Sequence, residues 1–128
     1  MRFGYTILYV RDVAASVDFY ERAFGQQRRL IHESGQYAEL ETGATALALA
    51  SYELATANLP GVFRPVDHGE RSPAFEVCFV TEAVEAAFER ALEAGAEPVT
   101  EPRKKPWGQE VAYVRDMDCN LIEIASPI

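Results

Sequence analysis

A chain of 128 residues suits one compact domain, or two half-size modules sharing a core, and folds without covalent staples. Twenty acidic against 12 basic residues give a net charge of −8, which argues against nucleic acid as a partner, because phosphate neutralisation needs a basic face. No apolar stretch approaches the about 18 residues of a membrane span, and the two cysteines, Cys78 in an apolar run and Cys119 in a turn, form no disulfide framework.

Tyr5-Thr6-Ile7-Leu8-Tyr9-Val10 reads as a strand with Tyr5, Ile7 and Tyr9 on one face and Thr6, Leu8 and Val10 on the other. Asp12 is placed to cap a helix in which Val13, Val17, Tyr20 and Phe24 form one apolar stripe, and Gly25 closes it. Three strand candidates follow at residues 28–32, 36–41 and 45–51, separated by Ser34-Gly35 and Thr42-Gly43 as hairpin turns. The first module is therefore βαβββ, over residues 1–52. Pro60-Gly61, Pro65, Gly69 and Pro73 among polar residues mark 53–73 as a connecting segment.

The same plan repeats over residues 74–128. Phe75-Glu76-Val77-Cys78-Phe79-Val80 leads into a helix with Thr81 as cap, Val84, Ala87, Phe88, Ala91 and Leu92 as the buried stripe, and Gly95 as terminator. Strands are expected at 98–100, 110–115 and 121–125. Between the first two lies Pro102-Arg103-Lys104-Lys105-Pro106-Trp107-Gly108. This loop reads either as a lid whose Trp107 covers a pocket mouth or as a solvated charge run.

The stretches Leu8-Tyr9-Val10-Arg11-Asp12, Ser16-Val17-Asp18-Phe19-Tyr20, Phe24-Gly25, Trp107-Gly108-Gln109, Ala112-Tyr113-Val114-Arg115-Asp116 and Asn120-Leu121-Ile122-Glu123-Ile124 resemble the vicinal oxygen chelate superfamily. That group holds glyoxalase I, extradiol dioxygenases, fosfomycin resistance enzymes and bleomycin resistance proteins. The resemblance implies an α+β fold in which two tandem βαβββ modules curl their sheets into a cup, helices outside, with the ligand held inside. It also implies a homodimer, which exposed module edges favour.

In metal-dependent members of the superfamily one residue from each of four strands, mostly His and Glu, converges on the ion. By motif position those places here hold Tyr5, Ala48, Phe75 and Glu123, of which only Glu123 offers a carboxylate. Glu76 would replace Phe75 only by a one-residue slip that turns Phe75, Val77 and Phe79 the wrong way. The expectation is no cofactor, with a divalent metal as the alternative.

Glu123 interrupts the apolar run Leu121-Ile122-Glu123-Ile124-Ala125 and shares a face with Leu121 and Ala125. An inward carboxylate there needs a basic partner, a cationic ligand or a raised pKa. The remaining candidate lining is Tyr5, Ile7, Tyr9, Ala48, Phe75, Phe79, Trp107 and Tyr113, an aromatic set suited to flat rings and cations. Asp116-Met117-Asp118-Cys119-Asn120 departs from the superfamily's usual Asp-Pro-Asp-Gly-Asn, so Cys119 either accepts a strained angle or the turn takes another form.

No serine or cysteine is paired with an activating histidine, and no glycine loop is built to cradle phosphate. The expected function is metal-independent binding of a small aromatic or cationic molecule in an acidic cup, in the manner of bleomycin-resistance-like sequestration. The alternative is a glyoxalase-type lyase or isomerase using Glu123 as base or metal ligand. No charged-then-apolar leader precedes Phe3, so a cytoplasmic protein is expected.

Overall fold

In the computed structural model, which describes all of Met1–Ile128, the first half of the chain runs β1 (Tyr5–Val10), α1 (Val13–Phe24), β2 (Arg28–Ile31), β3 (Tyr37–Leu40), β4 (Ala46–Ser51) and α2 (Tyr52–Asn58). The second runs β5 (Val77–Val80), α3 (Val84–Glu93), β6 (Glu97–Lys104), β7 (Glu110–Arg115) and β8 (Leu121–Ala125). Each half builds one four-stranded mixed sheet, ordered β1-β4-β3-β2 and β5-β8-β7-β6. The tandem α+β plan read from the sequence is the one observed. The chain divides into two units, Met1–Glu21 with Gly25–Pro65, and Arg22–Phe24 with Val66–Ile128.

In the first unit β1 pairs parallel with β4, and β4 antiparallel with β3. Leu8, Val10, Ala38, Leu40, Leu47 and Leu49 make the buried face. The Asp12 side chain accepts from the Ala15 amide at 3.0 Å, and Gly25 closes α1 at φ 65° with its amide on Glu21 and Tyr20 carbonyls. The helix is buried more widely than one stripe, since Ser16, Phe19 and Ala23 are covered as well as Val13, Val17 and Tyr20.

The expected connector does not begin at residue 53. Ser51 caps α2 by accepting from Leu54 N at 3.0 Å, and Ala55 is fully buried. The prolines and glycines that signalled a linker all lie beyond this helix, whose own Glu-Leu-Ala-Thr-Ala run contains no breaker. Phe63, after it, packs edge-on against Tyr9 at 5.1 Å and tilted against Tyr52 at 5.4 Å.

In the second unit Ala112, Val114, Ile122 and Ile124 form the buried face, and α3 covers the sheet with Val84, Phe88 and Ala91. Thr81 is not the helix cap. Its hydroxyl accepts from Ala83 N at 3.2 Å, one residue short of α3, whose first turn has no side-chain cap. The edge strand β6 is longer than expected because two register irregularities, between Pro98 and Thr100 and between Thr100 and Arg103, accommodate its prolines. Pro102, Arg103 and Lys104 are therefore strand residues, and only residues 105–108 turn, with Gly108 at φ 93°.

The turn before β8 is closed by Asp116, without proline or glycine. The Asp116 carboxylate accepts from the amides of Asp118 and Asn120, both at 2.9 Å, and from Asn120 Nδ2 at 2.9 Å. Cys119 adopts φ 66°, the only non-glycine residue with positive φ, and is 1% exposed. Glycine here would relieve the left-handed angle but remove a buried thiol, so the wild type is the wrong reference. Comparing Cys119→Gly with Cys119→Ala isolates the angle, since both lack sulfur. The glycine variant should be the more stable by about 1 kcal/mol in urea unfolding, the reverse of the usual order; equal stabilities would show that the angle is unstrained.

Candidate functional site

Glu123 lies in the middle of β8, on the face of Leu121 and Ala125 as strand alternation requires. The register sets Tyr113 of β7 directly opposite on one side and Cys78 of β5 on the other. Tyr113 Oη donates to Glu123 Oε1 at 3.0 Å. The Cys78 thiol and the Glu76 carboxyl, two residues earlier on the same face, also hydrogen-bond to Glu123. A phenol, a thiol and a second carboxyl thus converge on one carboxylate, and none of them is a cation.

The electrostatics follow from that convergence. Partial burial, then the hydrogen bond and charge of Glu123, raise the Glu76 carboxyl above its ordinary range. Burial and the same neighbour push Tyr113 and Cys78 each to about 12. Cys78 is therefore a thiol at neutral pH and a poor nucleophile.

The first unit's corresponding face brings together Tyr5, Ile7 and Tyr9 of β1 with Ala46, Ala48 and Ala50 of β4, as the register pairs them. Glu39 of β3, opposite Ala48, is almost fully buried, and no sequence signal singled it out. It accepts from Tyr37 Oη at 3.0 Å and pairs with Arg29 at 3.3 Å, an arginine that also binds Glu41 at 2.7 Å. Here the carboxylate is already neutralised within the sheet. Tyr37 is pushed to about 12, by burial first and then by Glu39.

Three expected lining residues lie elsewhere. Phe79 shares the opposite, buried side with its partner Ile124 and stacks on Phe24 at 4.7 Å. Phe75 precedes the strand and is exposed; its expected place beside Glu123 belongs to Glu76. Trp107 is 63% exposed at the β6–β7 turn, with Nε1 donating to Gln109 at 3.0 Å. The clue to Glu76 and Cys78 was the alternation in Phe75-Glu76-Val77-Cys78-Phe79, where the apolar residues claim one face and leave the other to the polar pair.

The glyoxalase-like domain profile matches residues 3–128. The chain belongs to the glyoxalase-like domain family. A relative, the uncharacterized protein YraH of Bacillus subtilis (strain 168), is 32% identical over 118 residues, 91% of each chain. Among solved structures, a glyoxalase/bleomycin resistance protein/dioxygenase family enzyme from Burkholderia phytofirmans PsJN aligns over 100% of both chains at TM-score 0.81 and 24% identity. A glyoxalase-related enzyme from Fulvimarina pelagi aligns over 99% of this chain and 88% of its own, at TM-score 0.81 and 21% identity. At such identities these two structures speak to the fold alone.

Metal-dependent members of this superfamily need several donors on one point. The register supplies two carboxylates, Glu76 and Glu123, where the sequence reading gave one, yet no group of three or more His, Cys, Asp or Glu side chains is arranged to hold an ion. The donor set does not fit a resident metal.

The Glu76–Glu123 contact has a titratable consequence. A folded-state value above the ordinary 4.5 means that the contribution of Glu76 to stability is complete below about pH 4.5 and declines as pH rises through the folded value. Carbon-detected NMR titration should find Glu76 titrating above the ordinary 4.5 in the wild type and returning towards it in Glu123→Gln. An unchanged Glu76 curve in the variant would show that burial alone sets it.

Proposed function

We propose that the protein binds a small aromatic or cationic molecule on the face that carries Glu123, by capture and without a resident metal, in the manner of bleomycin-resistance-like sequestration. One observation carries the reading: Glu123 is a carboxylate on an accessible strand face whose neighbours, Tyr113, Cys78 and Glu76, bring no positive charge. A ligand cation supplies what the fold omits, and the Tyr113 ring beside it offers an aromatic surface.

The same geometry weighs against the lyase or isomerase reading. A counter-ion needs only a fixed carboxylate on an open face, whereas proton abstraction also needs donors for the substrate's oxyanion, and the Tyr113 hydroxyl is turned to Glu123 itself. Open edges at β1 and β5, with Tyr5 and Val80 exposed on them, support pairing with a second copy as part of this proposal.

Thermal-shift screening against aromatic amines, amphiphilic antibiotics and their uncharged analogues tests the reading, because binding to the native state raises Tm by mass action. Charged aromatics should outperform their neutral analogues, and Glu123→Gln should weaken the best of them by about tenfold, the loss of one charge-assisted contact. Silence across the panel, or stoichiometric divalent metal in the purified protein that is required for binding, would reject it.

A further inference from the structure

Residues 66–72 run along one end of the β5–β8–β7–β6 sheet, where β7 ends and β6 and β8 begin. Arg115, the last residue of β7, donates through Nη2 to the Glu70 carbonyl at 2.7 Å and to Ser72 Oγ at 3.3 Å. His68 Nδ1 lies 3.4 Å from Cys119 Sγ and 3.5 Å from Glu97 Oε2. Within the segment, Glu70 N donates to Asp67 O at 3.2 Å, closing a turn around Gly69 at φ 82°. Apolar anchoring is slight: Val66 is half-buried, while Asp67, His68, Gly69 and Arg71 are exposed.

A segment held by a few polar contacts and almost no buried apolar surface opens at low local free energy, well below that of the strands beneath it. The clamp is also incomplete. Arg115 Nε is buried and has no acceptor, which raises the free energy of the closed arrangement relative to one in which the guanidinium is solvated or newly paired. Beneath the segment lies Cys119, 1% exposed, whose thiol is pushed up by burial while Arg115 pulls the other way. Arg115 itself shares the β7 face of Tyr113, two residues along the strand and therefore on the side of Glu123.

We infer that residues 66–72 form a detachable strap, latched by Arg115 and His68, that lifts from the second sheet as a unit, uncovers Cys119 and frees the Arg115 guanidinium on the face that carries Glu123. Freed in this way, Arg115 can bind a carboxylate or carbonyl of a molecule whose cationic end meets Glu123. That last step rests on the binding reading above; the lifting of the strap does not.

The test therefore needs no ligand. In a Cys78→Ser protein, Cys119 is the sole thiol, and its alkylation by N-ethylmaleimide is followed by mass spectrometry across low urea concentrations. Labelling through strap opening is insensitive to urea, because local opening exposes little surface. His68→Ala and Arg115→Gln should each accelerate it roughly tenfold, as expected for the loss of one latch contact, while amide exchange in β7 and β8 stays slow. Labelling that rises with the urea dependence of global unfolding, or that proceeds at one rate in all three proteins, would overturn the inference. Should Arg115→Gln fail to fold, His68→Ala decides alone, since its side chain is 74% exposed.

Discussion

Cys78 and Tyr113 flank Glu123 because β8 runs between β5 and β7, and this pairing determines what the carboxylate can do. A glutamate in the middle of an apolar strand carries a desolvation cost that some partner must offset. Here the neighbours are a phenol, a thiol and a second carboxyl, none able to neutralise it. The carboxylate is held in place by Tyr113, and none of the three groups beside it carries a positive charge.

The first unit shows what the alternative looks like. Its strand order matches that of the second, so Ala48 on β4 corresponds to Glu123 on β8, and Glu39 on β3 to Tyr113 on β7. Moving the acid one strand over brings it within reach of Arg29 on β2, and the ion pair with Glu39 joins one with Glu41. A carboxylate so neutralised has little to gain from a ligand cation. Two copies of one topology thus carry opposite electrostatics, and the difference comes from which strand bears the acid and whether an arginine lies on the next one.

The architecture was legible because it rests on local signals that repeat: Asp12 before a helical stripe, Gly25 after it, and strands bounded by turns, with β7 and β8 falling at the expected residues. Glu123 and Tyr113 were legible as a pair for the same reason. Glu76 and Cys78 were not, because motif position gave the place beside Glu123 to Phe75, whereas strand alternation puts Phe75 on the side of Val77 and Phe79. Ser51 as a cap was hidden by prolines further along the same segment. Arg115 and His68 are beyond any sequence reading, since their contacts bridge 29 to 51 residues of chain.

The register that gives Glu123 its neighbours is enforced from the other side of the sheet. Phe79 stacks on Phe24 at an interplanar angle of 17°, with Ile122 and Ile124 buried beside it. Sliding β5 by one residue would send Phe79 to the solvated face and bring Glu76 and Cys78 inward, exchanging a buried aromatic contact for a buried carboxyl without a charge partner. Both halves of that exchange are unfavourable, roughly 2 kcal/mol for exposing the ring alone. The chemistry displayed at Glu123 is thus specified by an aromatic pair that never touches it, and a substitution at Phe24 can disturb the site through the strand between them.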